Sequence, residues 1–187
     1  MIIKNVRLSY VQLFEPKAQG EGGVPRYSCV ILIDKNDKTT IDVINAEIDR
    51  AIQKGIANNR ITAALSRSPN FKRAMRDGDV FYDEDPKPAR ATHRGYMFIN
   101  ANNTERPGVV DKRCSPILDK GEVYSGCYAH VDVSFFAYKH QGNVGVGAGL
   151  NNVMKIHDGE RLDNRQTAEQ AFAGLAEDGD DNSGSLE

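Results

Sequence analysis

Residues 125–159, SGCYAHVDVSFFAYKHQGNVGVGAGLNNVMKIHDG, decide how this chain is read. Val131, Val133, Phe135 and Ala137 alternate with Asp132, Ser134, Phe136 and Tyr138, and successive side chains of a β-strand point to opposite faces. Each set therefore lines its own face, and of the neighbours Phe135 and Phe136 one points inward and the other outward. The turn signal HQGN follows, and residues 142–159 read as a second strand, weakened by its glycines.

Working outward, His93–Asp111, HRGYMFINANNTERPGVVD, holds another strand, with Tyr96 and Phe98 on one face and Met97, Ile99 and Ala101 on the other. Both faces carry something to bury or to stack, unlike the one-sided alternation of a sheet with a wet face. Near the start, Val6, Leu8 and Tyr10 share a face in IIKNVRLSYVQLF, ahead of Pro16 and a glycine-rich loop. PRYSCVILIDK follows, with Val30 to Ile33 apolar on both faces, as a central strand requires. In residues 36–55 the period changes: Ile41, Ile44, Ile48 and Ile52 fall at helical spacing, with Gly55 at the expected end. Residues 56–93 are poor in apolar side chains and read as a short helical or irregular insertion. The fold expected is mainly β: five strands in antiparallel runs, a helix between strands two and three, and a small closed or partly open barrel. Residues 1–157 form this domain, and residues 158–187 read as a flexible, disordered acidic tail. The final SGSLE also reads as a cloning junction, and no function is placed on it.

A length of 187 residues, 40% apolar and 27% charged, suits one globular domain with an appendage. No apolar run approaches the roughly 20 residues that span a bilayer, and MIIKNVRLSYV lacks the core of a signal peptide, so a cytoplasmic location and no membrane partner are expected. The net charge of −2 conceals a segregation. Residues 1–157 hold 22 Lys and Arg against 17 Asp and Glu, whereas residues 158–187 hold 2 against 9.

Candidate chemistry is sparse. Cys29, Cys114 and Cys127 form neither an even set nor a C-x-x-C pair, and the nearness of Cys127 and His130 is weak grounds for a metal. GVGAG at 145–149 is not a dinucleotide fingerprint, no phosphate loop is present, and no cofactor is expected. Asp83, Glu84 and Asp85 could hold a divalent cation in a nuclease, though three consecutive acids are more often a solvated charge run.

Binding is better supported. A single nucleic-acid strand is held by a cationic groove that follows its phosphates and by aromatic faces that stack its bases. Tyr96 and Phe98 form one candidate pair and Phe136 and Tyr138 a second, although strand aromatics are more often core. Arg94, Arg106, Lys112, Arg113 and Lys139 are the expected phosphate contacts, with Arg7 and Arg26 as weaker ones. Arg67, Lys72, Arg73 and Arg76, with Phe71 among them, suit either a phosphate track or an ordinary basic loop. An acidic tail tethered to such a groove would compete for it, or would only add solubility. A protein-binding adaptor is the other alternative to the nuclease.

Three blocks, VRLSYVQLFEP, FINANNTERPGVVD and VYSGCYAHVDVSFFAYKHQGNVGVGAGLNNVMKIHDGERL, together resemble the bacteriophage single-stranded-DNA-binding proteins, over roughly residues 3–163. The resemblance implies an OB-fold, sequence-tolerant binding of single-stranded DNA without catalysis, and work in the cytoplasm of an infected bacterium. It also implies an acidic tail that engages phage or host replication and recombination proteins. The chain departs from such tails by lacking a terminal aromatic residue, its last being Phe172. Homodimerisation by strand pairing is left open.

Overall fold

The computed structural model describes residues 1–18, 20 and 22–162. The expected tail, beyond residue 162, lies outside the described residues. Among the described residues there are seven strands: β1 (Ile2–Lys17), β2 (Arg26–Asp34), β3 (Met75–Asp77), β4 (Tyr96–Asn103), β5 (Gly108–Val110), β6 (Tyr128–His140) and β7 (Asn143–His157). The helices are α1 (Lys38–Ala57), α2 (Ala63–Ser66) and α3 (Gly78–Glu84), and Pro88–His93 adds a 3-10 turn.

Five of the strands close a barrel in the order β4-β2-β1-β6-β7, and β4 and β7 meet again to seal it. Four seams are antiparallel, but the closing seam, Ala101 with Ala148 and Asn102 with Gly149, is parallel. Strand periodicity carries no direction, which is why an all-antiparallel barrel was expected. A strand as long as β1 must bend to border both β2 and β6. Its ladders shift register between Ile3 and Val6 and between Ser9 and Gln12, and Asn5 and Tyr10 there adopt positive φ of 51° and 48°, as bulges that turn a strand around a barrel do. The barrel, its strand order and its helix make this an OB-fold.

Inward residues of all five strands build the core, among them Leu8, Ile31, Ile33, Ile99, Ala101, Val131, Val133 and Leu150. Helix α1 is capped by Asp37, whose carboxylate accepts from the Thr40 N–H at 3.0 Å. It buries Ile44, Ile48, Ala51 and Ile52. Gly55 is the point of contact with β6, since a Cβ there would collide with Ala137. The glycine therefore does not end the helix, which runs on to Ala57.

The insertion has more structure than its composition suggested. Helix α3 and the 3-10 turn fold back over the outer face of β4 and form a second, aromatic cluster. The Phe98 ring stands 5.0 Å from Phe81 and 4.6 Å from His93, and Leu32 lies opposite Phe98 in the β2–β4 ladder. The Arg76 guanidinium lies 4.6 Å from the Phe98 ring and 5.0 Å from that of Phe81, with Arg90 3.9 Å from Phe81 on its own account. Lys35 ties the start of α3 to the barrel, donating to Asp77 at 2.6 Å and Asp79 at 2.5 Å. Asp158–Leu162 continue along the barrel beyond β7: Arg7 Nη2 donates to the Glu160 carbonyl at 2.7 Å, and the Leu162 N–H to that of Ser125 at 2.8 Å.

Candidate nucleic-acid interface

A groove of about 1170 Å³ runs across the outer faces of β4, β6 and β7, walled on one side by residues 69–76 of the insertion. Its cations are Arg26, Lys72, Arg73 and Arg76, its rings are Phe71, Phe136 and Tyr138, and Asn100 and Asn102 lie on its β4 side.

The groove takes its shape from the glycines of β7. Phe136 sits opposite Gly147 in the β6–β7 ladder, and its ring lies across that glycine, 3.0–3.6 Å from where a Cβ would stand, with Gly149 next along. One side of the ring is thus bedded on bare backbone while the side chain remains 47% exposed. Phe135 points the other way and packs against the core. Gly145 admits the basic wall: the Lys72 N–H donates to the Val144 carbonyl at 3.0 Å, and the Val146 N–H to that of Lys72 at 2.8 Å. A side chain at Gly145 would collide with the Lys72 carbonyl.

Electrostatically the groove is unbalanced. Arg73 is paired with Asp49 at 2.9 Å, and Glu84 is the one carboxylate among the residues of the lining. Burial, and after it the neighbouring charge of Arg90, pulls the Arg76 pKa below its ordinary value. A guanidinium stays protonated in proteins even so, and a partly desolvated cation flanked by cations is an anion-seeking group.

The expected site residues divide. Phe136, Tyr138 and Arg26 line the groove, and Arg26 Nη1 donates to Asn102 at 3.0 Å. Lys139 is exposed in the β6–β7 hairpin, opposite Val144. Phe98 lies on the face expected for it but is completely buried, so the expectation of an open stacking ring is corrected: the insertion covers it. Tyr96, half-buried, pairs with Asp34 at the far end of β4. Arg94 lies 4.9 Å from the Tyr82 ring and Arg106 5.8 Å from that of Phe14, while Arg7 is held by the Gly126 and Glu160 carbonyls. Lys112 and Arg113 sit in the exposed turn after β5, where Asp111 accepts from the Arg113 N–H. None of these last six residues lines the groove.

The acidic run Asp83, Glu84 and Asp85 lies at the end of α3 and just beyond it. Asp85 is engaged by Lys87 at 2.8 Å and Arg90 at 3.2 Å, and among the described residues no group of three His, Cys, Asp or Glu converges on a metal position. His130 instead accepts from the Asn5 N–H at 2.9 Å. No helix among the described residues is long and apolar enough to cross a membrane.

Known proteins share this architecture. A solved single-stranded DNA-binding protein from bacteriophage Enc34, in complex with ssDNA, superposes with a TM-score of 0.70 at 26% identity, covering 87% of this chain and 88% of that one. Its C-terminal truncation gives 0.66 at 27% identity, covering 86% and 87%. The single-stranded DNA-binding protein gp2.5 of bacteriophage T7 gives 0.57 at 13% identity, covering 100% and 96%, a likeness of fold alone. Putative protein p50 of Acyrthosiphon pisum secondary endosymbiont phage 1 is 33% identical over 163 residues, 84% of this chain and 83% of its own length. The family described as the Enterobacter phage Enc34 ssDNA-binding protein matches residues 1–183. This chain therefore belongs to the Enc34 family of single-stranded-DNA-binding proteins, a family of binders and not of enzymes.

Proposed function

We propose that this protein coats single-stranded DNA during phage replication or recombination in the cytoplasm of an infected bacterium, with the strand lying in the groove between β4, β6, β7 and the basic wall. The observation that carries the reading is the half-exposed Phe136 ring bedded on Gly147 inside a cation-lined channel. Phe136 stacks a base, Tyr138 and Phe71 offer further faces, and Arg26, Lys72, Arg73 and Arg76 follow the phosphates. Every base has a π-face and every nucleotide a phosphate, so such a site is indifferent to sequence. Asn100 and Asn102 meet base edges with amides that both donate and accept, which suits all four bases.

The acidic residues that follow Leu162 compete with DNA for the groove and offer a surface to replication or recombination proteins. The folded unit is residues 1–157 with its short continuation to Leu162. The barrel is sealed, so two copies pairing by strands would have to use the short outer strands β3 or β5.

The test is fluorescence anisotropy of a labelled oligo-dT at two salt concentrations, with the intact chain and with a version ending at Leu162. Binding is expected to weaken with salt, because bound phosphates release counterions, and to strengthen when the acidic segment is removed. Absence of binding by both forms would overturn the proposal.

A further inference from the structure

Phe136 has two sides. One wall of the groove ends at its ring, and beyond the ring lies a second, smaller pocket of about 200 Å³ between β6 and the C-terminal end of α1. It is lined by Lys54, Asn58, Arg60, Phe135 and Phe136 together with the close contact of Gly55 on Ala137. Two cations, an amide and two rings around a space suited to a single base repeat, in miniature, the chemistry of the groove.

Local structure holds these groups ready. The last carbonyls of α1 are satisfied by its own backbone: the Asn58 N–H donates to Lys54 at 3.0 Å, Asn59 to Ile56 at 3.0 Å and Arg60 to Gly55 at 2.9 Å. Asn59 takes the left-handed conformation, φ 56°, that ends many helices and reverses the chain, and this brings Arg60 back beside Lys54. With the helix end satisfied, neither side chain is needed as its cap, and neither forms an ion pair among the described residues. Their neighbours differ: Arg50 is paired with Glu47 and Arg73 with Asp49.

Resting on the groove proposed above, we infer that the bound strand does not stop at Phe136 but turns over its ring into the α1 pocket, where one further base lies against Phe135 and Lys54 and Arg60 take its phosphate. Phe136 is then a ridge between two consecutive nucleotides, and the site is longer than the groove alone.

The experiment compares the intact protein with a Lys54→Ala/Arg60→Ala variant on a ladder of labelled oligo-dT from about 4 to 16 nucleotides, the span of site sizes known for such barrels. Both side chains are exposed, and an unchanged melting temperature confirms the variant's fold. The intact protein is expected to gain affinity at a length step that the variant lacks, the two binding the shortest oligomers alike. On long oligomers the variant's slope of log K against log salt is expected to fall by about 0.7, as the loss of one neutralised phosphate requires. Identical length dependence and identical slopes would overturn the inference while leaving the groove standing. Failure of the intact protein to bind any length would remove both.

Discussion

At the scale of single residues, what a side chain rests on matters as much as what it is. Phe136→Ala removes the proposed stacking face and is expected to weaken oligo-dT binding by about 1–3 kcal/mol, roughly 5- to 150-fold, with the melting temperature nearly unchanged. Gly147→Val tests the bed separately from the ring. A Cβ at Gly147 already stands 3.0 Å from the ring, so the branched side chain must tilt Phe136, and the expected result in the same titration is an affinity loss approaching that of the alanine variant. Phe98→Ala should act in the opposite sense. Emptying a fully buried aromatic position costs about 3–5 kcal/mol of stability, measurable by urea denaturation, and any loss of binding would follow from loosening of the insertion. Alternation in the sequence placed Phe135 and Phe136 on opposite faces and put Phe98 opposite Ile99. It could not show that Phe98 lies beneath other rings, because Phe81 and His93 reach it only after the chain has folded back. The partners of Arg94 and Arg106 were unreadable for the same reason, since Phe14 and Arg106 meet across about half of the chain.

At the scale of elements, the five barrel strands and α1 were legible because their signals are local: a period of two, a period near 3.6, and turn residues between them. The insertion was not, since its order derives from contacts with the barrel. Its basic run was visible as composition, but its role as a groove wall depends on Gly145 accepting the Lys72 backbone. The docking of the insertion also predicts a pH dependence. His93 is buried against Phe98 and Phe81, and burial first, with Arg76 and Arg90 adding to it, lowers its pKa from 6.5, opposed by the Arg90 carbonyl. A histidine that the fold keeps neutral opposes folding only when protons are available. Stability is therefore full above pH 6.5 and declines as pH falls from there toward the depressed value. The Lys35 carboxylates add a separate loss further into acid, because their pKa values are held below 3.8 by that amine. Thermal melts between about pH 7 and 5 should show the first decline in the intact protein and a smaller one in His93→Phe.

At the scale of the whole molecule, sealing the barrel decides which groups the solvent reaches. Burial raises the Cys29 thiol to about 12, and Cys127 is raised as well, whereas Cys114 is exposed in the turn after β5. A thiol reagent at neutral pH should therefore label one cysteine of the native protein quickly, identified by peptide mapping as Cys114, and the other two only on unfolding. Rapid labelling of all three would mean that the seam between β4 and β7 opens readily. The segregation of charge, positive up to residue 157 and negative after it, is legible in the sequence itself. The parallel sense of the seam was not, because it depends on how the chain crosses the barrel. The late position of β7 has a further consequence, for the order of events during synthesis. The parallel seam, the bed of Phe136 and the dock of the basic wall all wait on Asn143–His157. A nascent chain still short of that strand carries the cations but lacks the channel, so the proposed DNA groove forms in a single step once Asn143–His157 has been made.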